Sequence, residues 1–192
     1  MQKKSSHIHL AGIGPVSFRS SLRARRLSIS VIPFQGVLVS VPAGMSLTRA
    51  EQTVRTRKVW IDKCRLRVQE IEEKCQARLK QAGLFDLQTA RKALISRLNQ
   101  LAERHGFSFN RVFIRRQRTR WGSCSAANNI SLNIKLTLLP DELRDFIIVH
   151  ELVHTKVKNH GQKFWGKLEE IIPRARNLDQ QLKLYGGLLF LP

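Results

Sequence analysis

The chain has 192 residues, 42% of them apolar and 25% charged, enough to bury one substantial core or one core with a small appended module. It has no run of eighteen apolar residues, and its start, Met1-Gln2-Lys3-Lys4-Ser5-Ser6-His7, is too polar to open the apolar region of a signal peptide, so a cytoplasmic protein with no membrane partner is expected. The net charge is +20, and the three cysteines, an odd number without C-x-x-C spacing, exclude a disulfide framework.

From His7 to Val41 short apolar runs alternate with the turn signals Gly12-Ile13-Gly14-Pro15, Pro33-Phe34-Gln35-Gly36 and Pro42-Ala43-Gly44, which predicts three or four short strands. Thr48-x-x-Glu51 reads as a capping box. The stretch from Arg49 to about Gln81 is helical by pattern, with Val54, Ile61, Val68, Ile71, Cys75 and Leu79 near one stripe. Cys64 and Cys75 share that helix, where about 1.5 Å of rise per residue keeps them too far apart to bridge, and they read as small buried hydrophobes. A second helix, about Leu87 to Arg104, ends at His105-Gly106, a histidine in the last turn before a glycine cap. Asn110 to Ser125 and Ile130 to Leu136 read as two strands joined by the turn Ala126-Ala127-Asn128-Asn129. Leu139-Pro140-Asp141-Glu142 then opens a helix, with proline at the first position and acids in the first turn, and Leu143, Phe146, Ile147, His150 and His154 recur along it at helical spacing. A last helical run, Gln162 to Ile171, precedes Pro173. These elements divide the chain into a β-rich portion (1–45), a helical middle (46–106) and a C-terminal catalytic half (107–192), expected to form one compact unit.

The segment His150 to His160, HELVHTKVKNH, carries the chemistry. At 3.6 residues per turn, His150 and His154 project from one helix face and can reach a single tetrahedral zinc, while Glu151, about 100° round the turn, is placed to hold a water rather than to ligate. Two helical ligands, a third from elsewhere, an open fourth position and a glutamate base make a metal-hydrolase signature. For the third ligand, a continuous helix would carry His160 away from the metal face, so the chain must turn, with Lys158-Asn159 as the expected break. The spacing equals that of the metzincins, but Val157 stands at their glycine position and both methionines, Met1 and Met45, precede the motif, which argues against that class. Glu169 or Glu170 could replace His160 as a glutamate ligand; His160 is favoured because histidine involves no buried charge. Cys124, near the motif in sequence, could occupy the open zinc position as a brake, although a packed structural cysteine is the simpler reading. Tyr185, Arg118 and Arg120 are candidates for a transition-state donor. A strand directly before such a helix could present a free edge to an extended peptide.

Taken together, Arg120-Trp121-Gly122-Ser123-Cys124-Ser125, Ile130-Ser131-Leu132-Asn133, His150-Glu151-Leu152-Val153-His154, Asn159-His160 and Phe164-Trp165 resemble the YgjP-like metallopeptidase domain family, relatives of the SprT-like zinc proteases. Val16-Ser17-Phe18-Arg19 through Arg25-Arg26-Leu27-Ser28-Ile29, Val37 to Pro42 and Lys58-Val59-Trp60-Ile61 resemble that family's opening strands and first helix, so the likeness runs over roughly residues 15 to 185. The resemblance implies an α+β zincin-like fold with a β-hairpin and a zinc-binding active-site helix. It also implies one Zn²⁺ per chain held by His150, His154 and His160, Glu151 as catalytic base, and a peptide or protein substrate.

Charge is uneven. Residues 1–120 carry 25 Lys and Arg against 7 Asp and Glu, and residues 121–192 carry 9 against 7. Such a field attracts polyanions, nucleic acid among them. Two rival readings therefore stay open: a zinc-dependent nucleotide phosphohydrolase served by the arginines beside the site, and a basic nucleic-acid-binding protein with a structural zinc. The second is the weaker, because a structural site has four protein ligands and no base.

Overall fold

The computed structural model of the chain describes residues 5–81 and 87–190, without the side chains of residues 78–81. The chain divides into two compact units, Met1–Lys74 and Cys75–Pro192. The boundary falls inside a helix rather than at a change of element type such as 45/46 or 106/107.

In the first unit β1 (Ser5–Leu10), β2 (Gly14–Ser21), β3 (Ser28–Ile32) and β4 (Gly36–Pro42) form a sheet of order β1-β2-β4-β3. β2 and β4 run parallel, and the two outer pairs are antiparallel. The period of two sends Val16 and Phe18 of β2 and Val37, Val39 and Val41 of β4 to one face. There they join Leu10 and Ile13 and the residues Ala50 and Val54 of α1 (Leu47–Thr56) and Ile61 of α2 (Lys58–Gln81) in the unit's core.

Two expectations change here. The cap of α1 is Ser46, whose Oγ accepts from the Arg49 N–H at 3.3 Å; the helix begins at Leu47, so Thr48 already lies inside its first turn. The single helix expected over 49–81 is broken at Arg57 (φ −100°, ψ 12°), whose N–H reaches back to the Val54 carbonyl at 3.0 Å in a tight turn that closes α1. The apolar stripe itself is as read: Val54, Ile61, Val68, Ile71 and Cys75 are buried, while Leu79 lies outside the described side chains. Cys64 and Cys75 both lie on α2, and of the two only Cys75 is buried.

In the second unit β5 (Val112–Arg115), β6 (Gly122–Cys124) and β7 (Ile130–Asn133) form a sheet of order β5-β7-β6, with β7 parallel to β5 and antiparallel to β6. The long strand expected over 110–125 is thus two strands on opposite sides of β7. The strand nearest in sequence to the helix of His150 and His154 is central, and β5 and β6 hold the two sheet edges. Asn133 explains the split. Its buried side chain donates through Nδ2 to the carbonyls of Gln117 (2.8 Å) and Arg120 (2.9 Å), folding residues 116–121 into a loop. Its Oδ1 accepts from the Lys135 N–H at 3.1 Å and starts a 3-10 turn, Ile134–Leu138, where the strand was expected to continue.

Four helices complete this unit: α3 (Leu87–Arg104), α4 (Asp141–Val153), α5 (Gln162–Ile171) and α6 (Ala175–Leu184). α3 ends as read, with Gly106 at φ +66°. α4 buries Leu143, Phe146, Ile147, Ile148, Val149, Leu152 and Val153, so it is apolar nearly all round, the pattern of a central helix. It packs against α3, α5, α6 and β6. Pro140 is its N-cap residue rather than its first helical one, and Asp141 and Glu142 occupy the first turn, where carboxylates favour the helix dipole. The fold is α+β, with six α-helices and two sheets among the described residues, and no described helix is long and apolar enough to cross a membrane.

Candidate metal centre

The last turn of α4 carries His150 and Glu151, and His154 is its C-cap residue. The regular helix therefore stops four residues before the break expected at Lys158. Thr155 causes the early stop: its Oγ1 donates to the Leu152 carbonyl at 2.7 Å, while the N–H groups of Thr155 and Lys156 bond three residues back at 3.0 Å each. Lys158 then ties the departing segment to the β6–β7 turn, its Nζ donating to Asn128 Oδ1 (2.6 Å) and the Ser125 carbonyl (2.8 Å). The chain returns just ahead of α5, which brings His160 back to the face that holds His150 and His154.

The three Nε2 atoms converge: His150 and His154 are 3.2 Å apart, His154 and His160 3.1 Å, and His150 and His160 3.0 Å. Tetrahedral Zn–N bonds of about 2.0–2.1 Å set neighbouring nitrogens about 3.4 Å apart, so this spacing suits a metal. The hydrogen bond at the far side of one ring gives the same answer. His154 Nδ1 lies 2.9 Å from the Val157 carbonyl, which can only accept, so Nδ1 holds the proton and the Nε2 lone pair points at the other two rings. Burial, then the neighbouring His154 and His160, push His150 down to about 3; burial also lowers His154 against the pull of the Val157 carbonyl. A proton on the Nε2 of His150 or of His154 is thus disfavoured at neutral pH. Among the described residues, these three histidines are the cluster able to hold a metal ion.

Phe164, fully buried on α5, touches all three rings, with centroids 4.7 Å from His150, 4.5 Å from His154 in a stacked arrangement, and 4.7 Å from His160. One apolar ring thereby limits the rotation of every imidazole in the cluster.

Glu151 is buried beside them. Burial drives its carboxyl up to about 8, against the opposing charge of Arg120. Its Oε2 is buried and has no hydrogen-bond partner among the described residues, an arrangement that is costly unless a water or a substrate group meets it. The rest of the side chain lies on β6: a Cβ added at Gly122 would stand 2.6 Å from Oε1, 2.7 Å from Cγ and 2.9 Å from Cδ. Only glycine leaves that room.

The other candidates part from the cluster. Glu169 accepts from Arg176 Nε at 2.7 Å and neither it nor Glu170 joins the metal-binding group. Cys124 is outside that group too; burial pushes its thiol up, against Lys158, whose Nζ is 3.7 Å from the sulfur. Tyr185 is the C-cap residue of α6. His7 Nδ1 lies 2.9 Å from Ser17 Oγ in the first sheet. Local pattern placed Gly122 and Asn133 only in strands, Phe164 only in a helical run and Lys158 only at a helix break, without giving any of them a part in the site. Of these, Phe164 had a usable signal, since Phe164 and Leu168 form an i, i+4 apolar pair directly after His160.

Converging imidazoles beside a buried, unpartnered carboxylate define a centre built for metal-dependent chemistry. The family described as YgjP-like, metallopeptidase domain, matches residues 72–185, more than half of the chain, and the chain belongs to that family. No curated protein matches it. Two solved structures are similar over part of the chain. One is the metallopeptidase zymogen abylysin of Pyrococcus abyssi, with 24% identity, 46% of this chain and 90% of that chain covered, and a TM-score of 0.42. The other is the metallopeptidase zymogen jannalysin of Methanocaldococcus jannaschii, with 23% identity, 46% and 92% covered, and a TM-score of 0.41. Membership of the family makes this a metal-dependent peptidase, with a peptide or protein as substrate.

Proposed function

We propose that this protein is a zinc metallopeptidase of zincin-like layout, with one zinc per chain held by His150, His154 and His160 and with Glu151 as general base. The observation that carries the reading is the convergence of three Nε2 atoms at 3.0–3.2 Å beside the unpartnered Oε2 of Glu151. Three neutral imidazoles form the donor set of a catalytic zinc, which when bound supplies Lewis acidity toward a water and toward the scissile carbonyl. The chain's own groups do the rest. Glu151 takes the water's proton at Oε2 and passes it to the departing amine. Burial alone raises this carboxyl, and a cation beside it favours the carboxylate, the form that accepts a proton. β6, at the sheet edge, offers one row of main-chain groups to an extended peptide. The Val157 carbonyl keeps His154 in the ligating tautomer, and Phe164 limits the orientation of all three rings.

The test is metal analysis of the parent and of His150→Ala, His154→Ala and His160→Ala, combined with digestion of an unbiased peptide library and incubation with nucleoside triphosphates. One zinc per chain, lost in each variant, with peptide but not nucleotide hydrolysis, is the expected result. Zinc retained in full by His154→Ala would overturn the ligand set, and hydrolysis of nucleotides alone would favour a phosphohydrolase.

A further inference from the structure

Several arginines of the second unit are held by acids, and three that lie close together are not. Arg97 pairs with Asp145 (2.5 Å), Arg144 with Asp141 (3.2 Å) and Asp145 (3.1 Å), Arg176 with Glu169 (2.7 Å), and Arg174 with Glu142. Arg116, Arg118 and Arg120 are exposed, and none of them forms an ion pair among the described residues. All three belong to the loop between β5 and β6.

This loop is held in place. Asn133, 1% exposed, grips the Gln117 and Arg120 carbonyls through its side chain, and its N–H donates to the Trp121 carbonyl at 2.8 Å. From Trp121 the chain passes straight into Gly122, which lies on Glu151. The charge of Arg120 reaches the Glu151 carboxylate, and the charges of Arg116 and Arg118 reach the buried Lys135, whose own pKa burial lowers first. Arg116 and Arg118 therefore stand close enough to Lys135 to repel it, with Arg120 on the same short loop, and an anion arriving from solvent relieves that repulsion. A guanidinium fork matches a carboxylate with two parallel hydrogen bonds. The anion must also leave the path to Glu151 and the β6 edge open, which a carboxylate on the cleaved chain does and a bulky separate polyanion does not.

We propose that the loop of residues 116–121 selects the substrate, its Arg116, Arg118 and Arg120 taking the carboxylates of acidic residues near the scissile bond. The protein then acts on acidic stretches of polypeptide. This specificity rests on the metallopeptidase reading above.

Binding tests it without turnover. Full-length Glu151→Gln protein in zinc-containing buffer is titrated into fluorescein-labelled decapeptides, one with glutamates at alternate positions and one with glutamines there, and anisotropy is read at moderate salt. The glutamate peptide should bind at least about tenfold tighter, as complementary charges at a fixed site allow. The triple change Arg116→Gln, Arg118→Gln, Arg120→Gln should abolish that preference. The triple change Arg23→Gln, Arg25→Gln, Arg26→Gln removes the same charge from the first unit and should leave it intact. Equal binding of the two peptides, or equal loss in the two triples, would overturn the proposal. A labelled single-stranded oligonucleotide is the remaining arm: if it depends on the loop while the peptides do not, the loop is a nucleic-acid contact and the proposal is wrong. Failure of the underlying reading would show elsewhere, as peptide turnover that survives Glu151→Gln.

Discussion

A methyl group at Gly122 would stand 2.6 Å from Oε1 of Glu151, closer than real side-chain contacts come. Glu151 is only 5% exposed and cannot swing into solvent to make room. The backbone of the edge strand therefore sets where the proposed base can be. Gly122→Ala should keep its zinc and lower kcat by about 10- to 100-fold, the scale of a small displacement of a reacting group, with KM little altered. Glu151→Asp shortens the side chain and should cost less activity in the Gly122→Ala background than in the parent. Steady-state kinetics with zinc content measured on the same samples decide; additive losses would mean the two residues act separately.

Phe164 is the common neighbour of the three histidines, and its replacement separates packing from metal binding. Phe164→Ala should destabilise the protein by about 3–5 kcal/mol, as expected for a fully buried phenylalanine. Phe164→Leu keeps most of the apolar volume but loses the flat ring against which the imidazoles lie. It should fold while its zinc affinity falls by about tenfold or more, read by competition with a chromogenic chelator. Unchanged affinity in the leucine variant would remove Phe164 from the site's architecture.

The metal-free protein should be most stable between about pH 4.5 and 6.5. Glu151 is raised from 4.5 to about 8, so the folded state holds a proton that the unfolded state releases, and its contribution is lost as pH climbs through that range. His150 is lowered from 6.5 to about 3, so its contribution is present above 6.5 and is lost as pH falls toward 3. Between 4.5 and 6.5 the two slopes cancel. His154, also lowered from 6.5, adds a rising slope up to that value and so sets the maximum at the upper end of the interval. Zinc beside Glu151 favours the carboxylate and should flatten the decline above pH 6.5. Thermal unfolding of metal-free and zinc-loaded protein from pH 5 to 8.5 measures this; a metal-free midpoint that does not fall above pH 7 would contradict the burial of Glu151.

Asn133 can be tested by a near-isosteric change. Asn133→Asp removes both Nδ2–H donors and sets a carboxylate against the Gln117 and Arg120 carbonyls. The cost should be about 1–3 kcal/mol for each carbonyl left unpaired, visible in urea unfolding. A variant as stable as the parent would show that the loop does not depend on this residue.

Local pattern revealed much of the site. His150, Glu151 and His154 stand at helical spacing, and the need for a turn before His160 follows from geometry. What local pattern missed depends on contacts between distant residues or on competing short-range hydrogen bonds. The break at 116–121 is made by Asn133, which no periodicity within 110–125 can register. The helix stops at His154 because the Thr155 hydroxyl takes the Leu152 carbonyl, while Lys158-Asn159 looked the better stop on propensity alone. Ser46 replaces Thr48 as the cap because the helix starts at Leu47, two residues earlier than the pattern suggested. The order β5-β7-β6, and with it the central place of β7 between two edge strands, is a matter of pairing that sequence alternation cannot express.

The base is the most exposed part of the account. Glu151→Gln preserves the size of the side chain and its contact with Gly122 while removing the carboxylate that accepts the water's proton. Zinc content and peptide turnover measured together on this variant should come apart: one zinc per chain as in the parent, with kcat lower by about 100-fold or more. A glutamine variant holding zinc in full and cleaving peptide at the parental rate would contradict the mechanism.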